Sequence, residues 1–212
     1  MHYSDFTIKW ASSNWEIEQA NKLRRDVFCN EQKIFFASDQ DEIDEQAQCL
    51  VAIANQGGWH EKVVGTVRIH QPFKAVWWGS RLAVHPDFRH QKGLGAALIK
   101  LAVSSAHALD CRQFLAQVQI QNERLFKKLN WQTQGYVDLR GQQHAMMEAD
   151  LTAYPPCHSP YSGYVLNVKH YDAIEDRFTH KELAPAYLQP SGLLTGSRPT
   201  GSLSSGAIRH VS

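Results

Sequence analysis

The sequence predicts a mixed α/β fold in which helices flank a mostly antiparallel central sheet. Strand-like and helix-like segments alternate in the order β-α-β-β-β-α-β-α-β-β between about residues 6 and 151. The β-branched runs at 49–54 and 63–69 are separated by a short turn that contains Gly57-Gly58, so we expect them to pair antiparallel. A third strand leads through a Gly-rich turn directly into a helix. This order differs from that of a doubly wound parallel sheet.

The elements of the first half follow from apolar periodicity and turn residues. Residues 6–10 form a short strand, and residues 15–28 place apolar side chains near helical spacing, with Asn14 available as the N-cap. An acidic loop at 38–45 comes next. The loop either attracts a cationic amine or polyamine, or is simply solvated, and the sequence leaves both interpretations open.

The second half continues with strands and helices and closes in a hairpin around Arg140-Gly141. After residue 154 the character changes, and residues 190–212 are rich in Ser, Gly and Thr. Such a composition cannot bury enough apolar surface to offset the entropy of ordering. We therefore expect a domain over residues 1–154 and a C-terminal extension over 155–212 that is flexible from about residue 190. The elements expected in this half of the domain are strands at 77–84, 113–118, 131–137 and 144–151, and helices at 94–109 and 122–129.

Composition argues against several classes of protein. The chain has 212 residues and a formal net charge of +1, so no global field recruits nucleic acid or an anionic membrane surface. No apolar run approaches the ~20 residues that span a bilayer, and residues 1–5 lack the pattern of a secretion signal. The four cysteines are scattered, without a Cys-x-x-Cys pair or metal-ligand spacing. We expect a cytoplasmic protein with reduced thiols and no metal, which acts on neither nucleic acid nor membrane.

The Gly-rich turn before the helix at 94–109 has the properties of an anion site. The first N–H groups of a helix lack intrahelical partners, and the helix dipole adds partial positive charge there. Gly93 and Gly95 let a phosphate approach the backbone because no Cβ intervenes. Arg89 and Lys92 add positive charge nearby. The spacing matches neither a nucleotide-hydrolysing P-loop nor the dinucleotide fingerprint, so a diphosphate of another kind or a plain strand-to-helix connection remains.

Several motifs occur in a fixed order along residues 5–151. The central strand ends in Leu82-Ala83-Val84-His85-Pro86, and Gly93-Leu94-Gly95 follows it. Together these motifs resemble the GNAT superfamily of acyl-CoA-dependent N-acyltransferases, whose sheet is splayed at the acyl-CoA site. His90 departs from the family signature, which has Gln or Arg at this position. Further stretches that are similar to one acyltransferase branch lie at 23–32, 49–52, 64–68, 116–117, 125–131 and 141–144.

The resemblance implies acetyl-CoA as co-substrate and gives each part of the strand–turn–helix unit a role. The backbone of Leu82, Ala83 and Val84 would pair with the pantetheine arm, and one N–H there would polarise the thioester carbonyl. Asn122 would either bond a pantetheine amide or serve as a helix N-cap. Phe126 stands where many members carry a proton-donating Tyr. The pyrophosphate would be held by Gln91, Lys92, Gly93, Leu94, Gly95 and Ala96, with Arg89 and His90 beside them.

Three side chains are candidates for the general base that takes a proton from the acceptor amine. Glu31 follows the first helix, where the family lines its acceptor pocket, His144 begins the closing strand, and His85 ends the cofactor strand. Each has a structural alternative. Glu31 could be a solvated helix-end charge, His144 a strand histidine bonded to a carbonyl, and His85 a turn residue that caps the following residues.

The sequence therefore predicts an N-acetyltransferase that transfers an acetyl or longer acyl group from acetyl-CoA to the amine of a small molecule. One alternative is an acyl-CoA-binding sensor or assembly subunit without turnover, because Phe126 cannot protonate a leaving thiolate. Another is an acyltransferase similar to acyl-homoserine-lactone synthases, which share this fold and an early Arg, Phe and acidic-loop pattern. The acceptor, the acyl length, and a homodimeric or monomeric state are left open.

Overall fold

The sheet organises the fold, and a computed structural model describes it over residues 3–91 and 93–167. The strands of these ranges are β1 (Asp5–Trp10), β2 (Gln48–Gln56), β3 (Trp59–Phe73), β4 (Val76–Val84), β5 (Gln113–Gln119), β6 (Trp131–Leu139), β7 (Gln142–Ala149) and β8 (Tyr164–Asn167). The helices are α1 (Asn14–Arg25), α2 (Leu94–His107) and α3 (Glu123–Lys128). A single π-helical turn, Asp26–Glu31, continues α1, and a 3₁₀ turn, Glu42–Glu45, lies before β2.

The strands form one sheet in the order β6-β7-β5-β4-β3-β2-β1-β8. Within the described ranges, β4 and β5 pair parallel and the other neighbours pair antiparallel. The predicted mixed, mostly antiparallel sheet with flanking helices is therefore confirmed. Residues 164–167 lie beyond the expected domain boundary at 154 and add β8 beside β1. The flexibility expected from residue 190 concerns residues outside the described part of the chain and stays a prediction.

The first helix begins one residue earlier than expected because a capping box determines its start. Ser13, and not Asn14, is the N-cap residue, and its hydroxyl accepts a hydrogen bond from the Glu16 backbone N–H. The Glu16 carboxylate accepts the Ser13 N–H in return, which satisfies two otherwise unpaired donors. Glu16 is buried and also binds Lys9 of β1 at 2.7 Å, so the helix end is tied to the sheet.

Apolar residues cover both faces of the sheet because side chains alternate along each strand. On β2, Leu50 belongs to the cluster that includes Leu98 of α2, whereas Val51 belongs to the cluster that includes Leu23 of α1. All four side chains are buried. Helix α2 therefore packs on one face and α1 on the other, and the sheet lies between them.

The parallel strands β4 and β5 diverge at their carboxyl ends, as the resemblance implies. Their pairing ends at Gly79 and Ala116. Beyond that point β4 continues along β3 to Val84, and β5 continues along β7 to Gln119. Each strand is held by its outer neighbour, so a gap opens between the two. A β-bulge at Arg81, which has a φ of 55°, lies just beyond the last pair.

Candidate active site

A cavity of about 610 Å³ occupies the gap between β4 and β5. It is lined from the α2 face by Leu82 and Ile99, and from the α1 face by Phe28, Phe35 and Trp78. Because both faces contribute, the cavity connects the two sides of the sheet. Two substrates that enter from opposite sides would meet in it. Its titratable lining residues in the described part of the chain are Asp41, Arg68, His70, Arg81, Arg140 and His144.

The free edge of β4 provides backbone groups on the cavity side. Ala83 and Val84 pair with β3 on one edge, and no β5 residue pairs with them on the other. Leu82 lines the cavity, whereas Ala83 is buried against the α1 face. Val84 is one of the three residues predicted to pair with pantetheine. Its carbonyl oxygen, however, already accepts a hydrogen bond from Arg89 Nε at 3.0 Å.

The Gly-rich turn has the geometry of an anion site. Gly93 is the N-cap of α2, with a φ of 100° that other residues rarely adopt. At Gly95 an added Cβ would meet only Val84 at 4.0 Å, so packing within the protein does not require a glycine there. The helix N-terminus, which includes Leu94 and Ala96, presents its unbonded N–H groups at this turn. Lys92 lies outside the described residues. Among the other residues predicted at the pyrophosphate, His90 is exposed, and its Nε2 lies 3.2 Å from Nε2 of Gln91.

Arg89 and Glu31 form an ion pair instead of serving as a free cation and a free base. The guanidinium donates to both carboxylate oxygens at 2.6 and 2.7 Å. The hydrogen bond from Arg89 lowers the pKa of Glu31, which makes its carboxylate a weaker base. Glu31 is also absent from the cavity lining described above. The structure therefore argues against Glu31 as the general base and against Arg89 as an unpaired pyrophosphate ligand.

His85 is a turn residue, which is the alternative to a catalytic role that the sequence left open. Its Nδ1 accepts the backbone N–H of Asp87 at 3.3 Å and so caps the 3₁₀ turn Pro86–Phe88. Its Nε2 lies 3.1 Å from Lys62 Nζ. Burial lowers the pKa of His85, and the charge of Lys62 lowers it further. The ring does not line the cavity, so the predicted catalytic role for His85 has no support in the geometry.

His144 lines the cavity and has one ring nitrogen anchored. Its Nδ1 lies 2.9 Å from the carbonyl oxygen of Gln142. A carbonyl only accepts, so Nδ1 must carry the proton, and Nε2 of the neutral ring is left with a lone pair. His144 stands opposite Gln119 of β5, at the end of the divergent strand. Of the three predicted bases, the structure brings only His144 to the cavity.

His70 is a cavity residue that sequence reasoning missed. It lies on β3 opposite Trp78, and its Nδ1 is buried without a hydrogen-bond partner among the residues that the structure describes. Burial lowers the pKa of His70, and the neighbouring Arg68 lowers it further, so the ring is neutral at pH 7. Alternation along β3 places Arg68 and His70 on one face, but the sequence does not show that a cavity lies there.

Asn122 and Phe126 line the α3 side of the cavity. Asn122 is the N-cap residue of α3, yet its side chain makes no capping hydrogen bond, so the cap interpretation of its side chain is not realised. The amide is therefore available for another partner. Phe126 is buried and packs edge-to-face on Trp131 at 5.0 Å between ring centroids. The cavity lining in the described residues contains neither Tyr nor Cys that could protonate a leaving thiolate.

The acidic loop is part of an ionic cluster, which neither sequence interpretation anticipated. Arg24, which is 3 % exposed, donates to Asp39 at 2.7 Å and to Asp44 at 2.6 and 3.0 Å. Arg68 binds Asp41 at 2.5 Å and Asp44 at 2.9 Å. Arg81 of the β4 bulge binds Asp39 at 3.1 Å and Asp41 at 3.0 Å. Asp39, Asp41 and Asp44 are thus paired within the protein, whereas Glu42 and Glu45 of the same loop are exposed. The sequence did carry a signal for this cluster, because Arg68 is the one charged residue in the β-branched run at 63–69.

Burial and hydrogen bonding act in opposite directions on these carboxyl groups. Burial raises the pKa of Asp44, but hydrogen bonds from Arg24 and the Asp41 backbone outweigh it, and the net pKa is lowered. The pKa of Asp41 is lowered in the same way, by Arg68 against burial. Both carboxylates therefore stay ionised at neutral pH, and Asp41, Arg68 and Arg81 of the cluster form part of the cavity lining.

A mostly antiparallel sheet that splays beside a Gly turn and a helix N-terminus defines an acyltransferase of the acyl-CoA-dependent class. The chain belongs to the acetyltransferase (GNAT) family, whose model matches residues 8–131. No curated protein matches the chain. In the described part of the chain no helix could span a membrane, and no three His, Cys, Asp or Glu side chains cluster as metal ligands.

Solved structures of similar fold agree with this membership. A protein from Lactobacillus plantarum that is designated an N-acetyltransferase is 20% identical, with a TM-score of 0.61, covering 69% of this chain and 98% of its own. An acyl-CoA N-acyltransferase from Pseudomonas aeruginosa is 19% identical, with a TM-score of 0.54 and coverages of 69% and 99%. The acyl-homoserine lactone synthase BjaI, solved with SAM and isopentyl-CoA, is 17% identical, with a TM-score of 0.57 and coverages of 70% and 85%. At these identities the likeness concerns the fold.

Proposed function

We propose that the protein is an N-acetyltransferase that transfers the acetyl group of acetyl-CoA to the amine of a small molecule. The observation that carries the proposal is the cavity through the β4–β5 gap, which meets the free edge of β4. The turn at Gly93 supports a pyrophosphate at the start of α2, since Gly95 leaves room that packing does not use. The α1 face of the cavity is then left for the acceptor.

The transfer needs a base, an oxyanion donor and a proton for the leaving sulfur. In our proposal, His144 takes a proton from the acceptor ammonium through Nε2, because its Nδ1–H is held by Gln142. The amine nitrogen then attacks the thioester carbon, the C–N bond forms, and the C–S bond breaks. A backbone N–H on the free edge of β4 near Leu82 would stabilise the oxyanion. The attacking nitrogen loses its second proton through water to the leaving thiolate, since Phe126 has none to give, and His144 returns the first proton to solvent.

Phe126 also favours a second function, which is binding of acyl-CoA without turnover. A cavity that binds acyl-CoA without a proton donor beside the sulfur suits a sensor or assembly subunit that does not turn over. The ionic cluster around Arg24 also keeps open an acyltransferase similar to acyl-homoserine-lactone synthases. Release of thiol from acetyl-CoA with a panel of amines separates turnover from binding without turnover. Cytoplasmic location and the oligomeric state stay predictions.

The test is release of free thiol from acetyl-CoA in the presence of a panel of amines. We expect amine-dependent release by the wild type, and a fall in kcat of about 100-fold for His144→Gln, the order lost with a general base. The control is His60→Gln, because His60 is exposed on β3 and does not line the cavity. Its kcat should match that of the wild type.

Three outcomes would change the proposal. Melting that rises with CoA while no amine releases thiol identifies a binding module. Full activity of His144→Gln removes His144 as the base. A large loss for His70→Gln with full activity of His144→Gln transfers that role to His70, which is the other histidine of the cavity lining described here.

A further inference from the structure

The outer wall of the cavity places two guanidinium groups against one aromatic ring. Arg81 lies over Phe35 with its Cζ 4.5 Å from the ring centroid, and Arg140 lies over the same ring at 4.4 Å. All three side chains line the cavity. Stacking on a ring orients a guanidinium and leaves its N–H edge free to bind an anion.

The two arginines differ in how their charges are balanced. In the ionic cluster, the three arginines Arg24, Arg68 and Arg81 bind the three aspartates Asp39, Asp41 and Asp44, so the cluster is neutral as a whole. Arg140 belongs to the turn between β6 and β7, and within residues 3–91 and 93–167 no carboxylate forms an ion pair with it. The acceptor side of the cavity therefore carries one positive charge that the described chain does not neutralise.

The position of Arg140 is determined by the backbone. Arg140 and Gly141 have φ values of 51° and 76°, which form the tight turn of the β6–β7 hairpin. His144 follows on β7 of the same hairpin and lines the same cavity. One hairpin thus presents a guanidinium and the proposed base to the same cavity.

We propose that the acceptor is an amine that carries a carboxylate, such as an amino acid, and that Arg140 binds this carboxylate. The inference rests on the proposed function and adds the class of acceptor. A bidentate pair between the guanidinium and the carboxylate orients the molecule so that its amine faces His144. An acceptor with several positive charges is repelled by the same arginine. The apolar walls, Phe28 and Trp78, accommodate the rest of the acceptor.

The experiment compares acceptors that differ only in the carboxylate. Phenylalanine is paired with phenethylamine and tryptophan with tryptamine, and spermidine serves as the polycation, each with acetyl-CoA and thiol detection. We expect kcat/KM of the wild type to be roughly 10- to 100-fold higher for the carboxylate member of a pair, as expected for a hydrogen-bonded charge pair. Arg140→Gln should lose this preference and Arg140→Glu should reverse it. A merely structural role for Arg140 would not produce a reversal.

The controls keep the outcome decisive. Arg112→Gln removes an exposed arginine that does not line the cavity, and it should keep the wild-type preference. If Arg140→Gln does not fold, Arg140→Asn replaces it, because Asn tolerates a positive φ better than most residues.

The results separate the inference from the proposed function. Equal turnover of both members of each pair, or an unchanged preference in Arg140→Gln, overturns the inference while the acetyltransferase stands. If no acceptor releases thiol, the proposed function fails, and calorimetric titration of the amino acids into the CoA-bound protein decides the inference. Binding by the wild type that Arg140→Gln loses supports the carboxylate site, and no binding by the wild type overturns it.

Discussion

Asp44→Asn tests whether the ionic cluster holds the α1 wall of the cavity to the domain. Asp44 accepts two hydrogen bonds from Arg24, at 2.6 and 3.0 Å, and lies 2.9 Å from Arg68. Both arginines are only 3 % exposed. Removing one partner of a buried ion pair costs about 3–5 kcal/mol when the other charge is left alone. Here Arg24 keeps Asp39 and Arg68 keeps Asp41. We therefore expect the free energy of unfolding to fall by about 2–3 kcal/mol.

This loss is large enough to measure by melting. A domain of this size changes its melting temperature by about 2–4 °C per kcal/mol, so Asp44→Asn should melt roughly 4–12 °C lower than the wild type at pH 7. Thermal unfolding followed by circular dichroism measures the difference. Glu42→Gln is the matched control, because Glu42 is an exposed carboxylate on the same 3₁₀ turn. Its effect should stay within about 0.5 kcal/mol.

The effect should depend on pH in one direction. Hydrogen bonds from Arg24 outweigh burial, which acts to raise the pKa of Asp44, and leave that pKa lowered. A carboxyl group with a lowered pKa stabilises the folded state fully above its unfolded pKa of about 3.9, and this contribution is lost as the pH falls through the folded pKa. The gap between wild type and Asp44→Asn is therefore full at pH 7 and narrows below about pH 4.

Two results would refute this reasoning. If Asp44→Asn melts within about 1 °C of Glu42→Gln at pH 7, a difference of about 0.5 kcal/mol or less, the cluster contributes no net stability. If the melting gap stays constant from pH 7 to about pH 3.5, the stabilisation does not come from an ionised Asp44.

Three further predictions concern the proposed cofactor and base residues. Gly93→Ala should destabilise the protein by about 1–2 kcal/mol and raise KM for acetyl-CoA, because its φ of 100° is unfavourable for alanine; an unchanged KM in steady-state assays would contradict this. Asn122→Ala should raise KM for acetyl-CoA, and its free energy of unfolding in denaturant titrations should change by less than about 0.5 kcal/mol because the side chain makes no capping hydrogen bond. A loss of ~1 kcal/mol would instead identify a capping side chain. Glu31→Gln should keep kcat within about threefold because Arg89 occupies the carboxylate, and a loss of the roughly 100-fold typical of a base would restore Glu31 as a candidate.

Local sequence patterns were enough to predict the order of elements through β7, although not strand β8. The strand from Val76 to Val84 and helix α2 are recognisable because each forms its own periodic apolar face and each ends at turn residues. The starts of elements were less predictable. Ser13 and Asn14 are both good N-caps, and the choice between them depends on Glu16 reaching back from the next turn.

The candidate site was predictable only in part. The Gly93 turn carries its chemistry in adjacent residues, and the structure places it at a helix N-terminus as expected. The predicted bases were not distinguishable, because Glu31, His85 and His144 are each polar residues at the end of an element. Their partners come from distant parts of the chain, such as Arg89 for Glu31 and Lys62 for His85. Pairings over such separations leave no local signal.

The sequence by itself determined the order of elements through β7 and the Gly-rich turn between β4 and α2, since each element and the turn are built from residues that are neighbours along the chain. The tertiary structure decided which charges are free. It pairs Arg24, Arg68 and Arg81 with the acidic loop and leaves Arg140 and His144 facing one cavity. The physical reason is that a charge acts only through what lies within a few ångströms of it, and the folding of the sheet sets those distances.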